Sequence, residues 1–462
     1  MRKMALVGDR QWVPLVTGGE VRRLDLDYAA TAPCALQVRD AVDEILPWYG
    51  SVHRGDGFPS AVCTELQEAC RESVRAFTGA RPDDTVIFTR NTTDSLNLLA
   101  HALPEDGEVF GFATEHHANL LPWDRRTVHR LPVPDSPAHA LELLDAALAS
   151  AARAAGRGGG ARLVTLAGAS NVTGEVWPVA ELAGVARRFG ARTAVDAAQL
   201  APHRPLDMAG WDVDYVAFSG HKLYAPYGAG ALVGRPDWLD AAPPYLAGGG
   251  ATRQVDLPAV DWAPSPQRHE AGSPNFLGNY ALATACELLH APLRSGLVVQ
   301  EQRLAALLER ELARIPGLTV HRMWDARHPK VGTVTFSVRG VASGLLSAAL
   351  SAEHGIAVRT GRFCAHPLVK HLLGEGHADG AALRASIGAG ITEQDISDFA
   401  WALARLVERG PAWSYRRDGA RFVPDPDPRP MPALSHGARV QLRAAERRAE
   451  APLAPVGAAC GG

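Results

Sequence analysis

The sequence is short of cysteine, of long apolar runs and of net charge, and each shortage excludes something. Six cysteines, Cys34, Cys63, Cys70, Cys286, Cys364 and Cys460, are scattered through 462 residues. They form no C-x-x-C pair and no Cys/His cluster at zinc spacing, so neither a disulfide framework nor a metal site is expected, and reduced thiols in a cytoplasmic protein fit best. Lys plus Arg is 47 against 50 Asp plus Glu, a formal charge of −3. That leaves no basic excess to hold nucleic acid or an anionic membrane, and small molecules become the expected partners. No apolar run is long enough to span a bilayer. The opening MRKMALVGDR has only a four-residue apolar stretch before Gly8 and Asp9, too short for a signal-peptide core.

What remains is ordinary globular material, 47% hydrophobic and 21% charged. The length is about three times the ~150-residue prior for one domain. Between about Leu24 and Leu289 short apolar runs alternate with helical patterns. Val86–Phe88, Val109–Ala113, Leu163–Leu166, Thr193–Val195 and Tyr215–Phe218 read as strands, which predicts an α/β layer on a mostly parallel sheet. Asp94 to Ala102 reads as a helix capped by Thr92 or Thr93, with an N-terminus suited to an anion. Ala138–Ala155 reads as a helix running into a surface connection at Gly158–Gly160.

From about Ser295 the texture changes to a long helix (Gly296 to Arg314), a strand at Thr333–Val338 and helices at Ser343–His354 and Glu393 to Arg409, the pattern of a smaller α+β unit. Beyond Gly410 the Pro, Arg and Ala content predicts an extended segment with at most one short helix and a disordered end.

The richest chemistry lies in Asp212 to Gly234, where an apolar strand ends in Ser219-Gly220-His221-Lys222 before a Gly/Pro-rich turn. A lysine fixed there is partly desolvated, the condition under which an amine forms Schiff bases. The GxG at Gly228–Gly230 lacks the spacing of a dinucleotide fingerprint. Earlier, TAVDAAQ ends a strand pattern with Asp196 and presents Gln199 one turn on. By itself Asp196 is a helix cap; beside a Schiff-base lysine it is the carboxylate that keeps a pyridine nitrogen protonated.

These residues stand in ten blocks, DLDYAATAP, SVHRGDG, RNTTDSLNLLA, TEHHANLLPW, SNVTGEVWP, VDAAQ, SGHKLYAPYG, EAGSPN, GIAVRTGRFCAHP and LRASIGAGIT. In that order, from about Leu24 to Arg409, the chain resembles the class V aminotransferase family of fold-type I pyridoxal phosphate enzymes, most of all the branch of SufS-type cysteine desulfurases and selenocysteine lyases. The resemblance implies a large domain on a mostly parallel seven-stranded sheet (24–290), whose N-terminal part is expected to pack with the small domain, and a smaller C-terminal α+β domain (291–410); an N-terminal segment (1–23) precedes them, and the Pro/Ala/Arg-rich extension (411–462) has no counterpart in the family core.

It also implies roles. Lys222 would carry pyridoxal 5'-phosphate, Asp196 would pair with the pyridinium nitrogen and Gln199 with the ring oxygen. His116 would stack on the ring and move protons, a stronger claim than its neighbour His117 has. Asn171 would lie beside the ring oxygen and the substrate carboxylate. Thr93, Ser219 and His221 match the phosphate cup. His53 and Ser273 match positions that cross a dimer interface, which implies a homodimer. Arg384 matches the arginine that grips the α-carboxylate, with Arg359 in the same pocket. Cys364 matches the thiolate that accepts sulfur, with Arg362 and His366 as cationic neighbours. The implied reaction turns L-cysteine into L-alanine and a Cys364 persulfide, whose sulfur passes to an acceptor protein. The alternative is another class V reaction, that of a C–S lyase, selenocysteine lyase, epimerase or aminotransferase, with Cys364 idle. Two places depart from the branch and are expected at the substrate entrance: Arg362 and Phe363 stand where two histidines are common, and Gly390 and Ile391 where a Tyr-Asn pair is usual.

Overall fold

Seven strands, each bounded by turn-forming residues, make one sheet: β1 (Thr85–Thr89), β2 (Glu108–Phe112), β3 (Thr127–Leu131), β4 (Arg162–Ala167), β5 (Arg192–Asp196), β6 (Tyr215–Ser219) and β7 (Gly230–Gly234). A computed structural model describes residues 4–155, 160–256, 258–374 and 380–432, with residues 437, 440, 443 and 444 beyond them. The spatial order is β1-β7-β6-β5-β4-β2-β3. All pairs are parallel except those of β7, which runs antiparallel to β1 and β6.

The period-two pattern of the strands separates two cores. Val86, Phe88, Phe110, Phe112 and Val164 face one, Ile87, Val109, Leu163 and Leu232 the other. The first is covered by α1 (Phe58–Thr78), α3 (Pro137–Ala155), α4 (Val179–Arg188) and α5 (Phe276–Ser295), the second by α2 (Thr92–Ala102). With both faces covered the strands are near-continuously apolar, as a parallel sheet requires.

Two strands escape the sequence pattern. In β3 only Leu131 is buried, and the polar TVHRL run of this edge strand hides it; in β7 the run opens and closes on glycine. Those glycines are steric necessities. A Cβ on Gly230 would lie 2.7 Å from the Asn91 Cα and from the Phe218 carbonyl oxygen.

After α5 the chain forms α6 (Leu297–Leu312) and a four-stranded antiparallel sheet of β8 (Leu318–His321), β9 (Thr333–Val338), β10 (Arg359–Gly361) and β11 (Ala382–Ser386), ordered β8-β9-β11-β10. It carries α7 (Ser343–His354) and α8 (Glu393–Arg409). The N-terminal segment returns to this region: Leu24 and Asp25 pair in parallel with Ile356 and Ala357, and Asp27 bridges to Ser386.

The extension departs from the expectation of an open chain. Tyr415–Asp418 (β12) and Arg421–Pro424 (β13) form a hairpin docked on α7. Glu353, in the last turn of α7, accepts from Ala412 N (2.9 Å), Trp413 N (3.2 Å) and the Tyr415 hydroxyl (2.9 Å). The Trp413 indole donates to the Pro426 carbonyl at 2.8 Å. Most of the Gly158–Gly160 connection, and the chain end with Cys460, lie outside the described residues. Among the described residues no helix is long and apolar enough to cross a membrane, and no group of three metal-ligating side chains occurs.

Candidate active site

The carboxyl ends of β1, β2, β4, β5 and β6 point to one side of the sheet, where ligands of open α/β folds collect. The segments that follow them supply Asn91 to Thr93, His116, Asn171, Asp196 with Gln199, and Ser219 to Lys222. With Arg359, Phe363, Cys364 and Arg384 they line one cleft of about 270 Å³.

One end of the cleft is the mouth of α2. Its cap is Asn91, whose side chain accepts from Asp94 N at 3.0 Å, in place of the expected Thr92 or Thr93. Thr92 instead exchanges hydrogen bonds with Ser219: its N–H donates to the Ser219 Oγ at 2.8 Å and the two hydroxyls meet at 2.6 Å. Thr93 stays exposed at the same mouth. An α-helix N-terminus of eleven residues with two hydroxyls is a site for an anionic group. His221 borders it, its Nδ1 3.2 Å from the Thr31 hydroxyl; burial and the nearby Lys222 charge hold its imidazole down at about 4.

The other chemistry surrounds Lys222. Burial pushes its amine down to about 8, against the attraction of Asp196 and with the repulsion of Arg384. Asp196, 5% exposed, accepts from Ala198 N at 2.9 Å; burial raises its carboxyl, opposed by that bond and by Lys222. Gln199 donates one amide N–H to the Ala29 carbonyl at 2.7 Å and keeps a second. His116 is driven down to about 3, first by burial and then by the charge of Lys222, so its ring is neutral. Because its Nδ1 accepts from Ala118 N at 3.0 Å, the ring proton sits on Nε2.

The far wall is the loop after β10. Phe363 and Cys364 both have φ 53°, a left-handed pair that costs about 1–3 kcal/mol per residue. Neighbours hold both carbonyls: Asn171 Nδ2 donates to Phe363 O and His117 N to Cys364 O, each at 2.7 Å. Cys364 is half-buried and in no disulfide. Arg384, 3% exposed, donates to Asn171 O at 2.8 Å and to the Asp27 carboxylate at 3.2 Å. Arg359, opposite it in the β10–β11 register, is exposed and lies 3.9 Å from Asp27. His366 faces the His117 ring edge-on at 4.4 Å. Burial and Arg362 push its imidazole down, so it is a weaker source of positive charge for Cys364 than the sequence suggests.

Three expected residues or pairs stand elsewhere. His53 is exposed beside Glu68 (3.4 Å), Ser273 is exposed, and within one chain neither lines the cleft. Gly390 and Ile391 border a separate small cavity beside Leu6 and Tyr28 instead of the cleft entrance. The glycines there make room for Tyr28, since a Cβ on Gly388 would stand 1.9 Å from its ring.

The sequence reading passed over three others. Asp27, inside the quoted DLDYAATAP block, is the carboxylate on Arg384. Asn91, a stronger cap type than threonine, was passed over for Thr92 and Thr93 beside it. Glu115 lies wholly buried behind His116; burial raises its carboxyl to about 8, and Asn119 Nδ2 donates to it at 2.7 Å.

A family model described as aminotransferase class-V matches residues 25–399. The chain belongs to that family. Among its class-V relatives, a probable cysteine desulfurase of Chlamydia muridarum is 36% identical over 402 residues, covering 85% of this chain and 95% of that one. A second, probable cysteine desulfurase 2 of Mycobacterium leprae, is 34% identical over 400 residues and covers 83% and 91%. In structure the chain is similar to the cysteine desulfurase CsdA of Escherichia coli, with a TM-score of 0.72 at 32% identity over 84% of this chain and 95% of that one. It is also similar to the apo cysteine desulfurase of Thermococcus onnurineus, with a TM-score of 0.74 at 29% identity over 88% and 100%. The α/β architecture with its seven-stranded sheet is that of fold-type I enzymes.

Proposed function

We propose that the protein is a pyridoxal phosphate-dependent cysteine desulfurase. The observation that carries the reading is one cleft in which a desolvated lysine (Lys222), a buried carboxylate (Asp196), a buried guanidinium (Arg384) and a thiol on a strained loop (Cys364) converge.

The residues fit the cofactor. Lys222 would hold it covalently, Asp196 would protonate and anchor its ring nitrogen, and Gln199 would offer its remaining N–H to the ring oxygen. Asn91 to Thr93, Ser219 and His221 would receive the phosphate at the mouth of α2, and neutral His116 would cover the ring. When bound, pyridoxal phosphate supplies an electron sink that makes the substrate Cα–H acidic and weakens the Cβ–S bond.

The chain's own groups do the rest. Arg384 and Arg359 orient the α-carboxylate, for which a planar bidentate guanidinium is suited. Lys222, neutral in about one molecule in ten at pH 7 for an amine titrating near 8, takes the Cα proton. The Cys364 thiolate attacks the substrate sulfur, forming an S–S bond as Cβ–S breaks, and the released electron pair is protonated at carbon. L-cysteine plus the Cys364 thiol thus give L-alanine plus the Cys364 persulfide. The Nε2–H of His116 donates toward the reacting groups. The terminal sulfur then passes to an acceptor protein or a reductant.

The reading includes a homodimer, with exposed His53 and Ser273 serving the neighbouring subunit's cleft, and a cytoplasmic location, supported by five described cysteines in no disulfide. The test is release of alanine and sulfide from L-cysteine plus reductant, with Cys364→Ser in parallel. Equimolar products that vanish in the variant are expected. A cofactor-loaded protein yielding neither product, or a variant that keeps both, overturns the reading.

A further inference from the structure

We propose that Phe363 is a positioning residue for Arg384: its ring face sets the plane in which the guanidinium meets a carboxylate and ties that grip to the loop bearing Cys364. The inference rests on reading the cleft as an amino-acid site. The Arg384 Cζ lies 5.0 Å over the Phe363 ring. The guanidinium carbon thus sits over the ring face, and a carboxylate has to meet the N–H edge that the ring leaves open. On that edge one Nη donates to Asn171 O (2.8 Å) and the other to Asp27 (3.2 Å), while Nε is buried with no partner. Each Nη retains one N–H, and Nε its own, for a ligand.

Asn171 closes the circuit. Its carbonyl takes Arg384 and its side-chain amide donates to the Phe363 carbonyl at 2.7 Å, so ring, guanidinium and amide form a cycle of three contacts. The Phe363 ring cannot swing out of the cycle easily, because it is 7% exposed and clusters with Val172, Leu368 and Val369. Phe363 and Cys364 share the left-handed turn, so a rotation at Phe363 moves the bond that aims the thiol. Carboxylate binding and sulfur placement are thereby joined through one aromatic ring.

The experiment compares Phe363→Leu, which keeps apolar bulk, with Phe363→Tyr, which keeps the aromatic face, in cofactor-loaded protein. Binding of L-alanine and of ethylamine, which lacks the carboxylate, is followed by the cofactor's absorbance. The ratio of the two affinities reports the carboxylate grip without turnover. Phe363→Leu is expected to shrink that ratio by about 3- to 10-fold, with ethylamine binding unchanged, while Phe363→Tyr stays within about twofold of wild type. Phe363→Met gives the same comparison if the leucine variant does not fold. A ratio unchanged in the aliphatic variants, or lowered equally in Phe363→Tyr, or weaker binding of both ligands alike, overturns the proposal. Sulfide release by the wild type is scored separately, so a different reaction class would leave this result standing.

Discussion

The reactivity of Lys222 should be visible before any cofactor chemistry. An ordinary lysine titrating at 10.5 is neutral in about one molecule in 3,000 at pH 7, whereas one held at about 8 is neutral in about one in ten. Burial thus makes the amine about 300-fold more available as a nucleophile at neutral pH, if intrinsic reactivity is equal. The assay is borohydride trapping of apoprotein with pyridoxal, chosen without the phosphate so that anion binding does not intrude. The modified Lys222 peptide is quantified by mass spectrometry from pH 6 to 10. The rate is expected to rise tenfold per pH unit and level off near pH 8. Asp196→Asn removes the charge that favours the ammonium and should move the plateau to lower pH; Arg384→Gln removes a repelling charge and should move it higher. A wild-type rate still climbing tenfold per unit past pH 9, or an Arg384→Gln plateau at lower pH, refutes the reasoning.

Glu115, raised from 4.5 to about 8 by burial, contributes stability that is fully present below about pH 4.5 and lost as pH rises through 8. Glu115→Gln cannot titrate, so its thermal midpoint should gain on that of the wild type between pH 5 and pH 9; a difference constant across that range would sink the assignment. Glu353→Ala removes the acceptor of one bond from the hairpin and two from the residues that lead into it. Trypsin should then cut at Arg416 and Arg417 at least about tenfold faster, for about 1.5–3 kcal/mol per charged hydrogen bond, with sulfide release unaffected; an unchanged cleavage rate contradicts it. Gly388→Ala drives a methyl into the Tyr28 ring and should cost about 1–3 kcal/mol of stability. Adding Tyr28→Ala should cost less than the two single losses together, and strict additivity would refute the clash.

Five of the seven strands of the central sheet were legible because strands buried on both faces are short apolar runs; β3 and β7 were not. Helix α8 was legible over its whole length, with Thr392 and Asp395 forming a capping box at its start. Residues whose side chain is the chemistry, such as Lys222 and Asp196, could be picked by type and by position at a strand end. Those whose role depends on a distant partner could not: Asp27 matters through Arg384, 357 positions away. Phe363 matters through the face it turns to Arg384 and through a backbone torsion that no residue type announces. The hairpin of the extension was missed because proline-rich composition masked two short strands, whose anchor is a glutamate on another helix. Gly390 and Ile391 looked like an altered entrance, yet the neighbouring glycine is spent on room for Tyr28.

The pairing of Leu24 with Ile356 bears on how this chain is made. The two strands are separated by 332 positions, so the first must leave the ribosome long before its partner exists. At about 5–20 residues per second the wait is roughly 15–70 s. Throughout that time the seven-stranded sheet can assemble behind a leading segment whose own place is not yet built. A newly made chain therefore completes its carboxylate grip only after β11 has been made and brings Arg384 to Asp27.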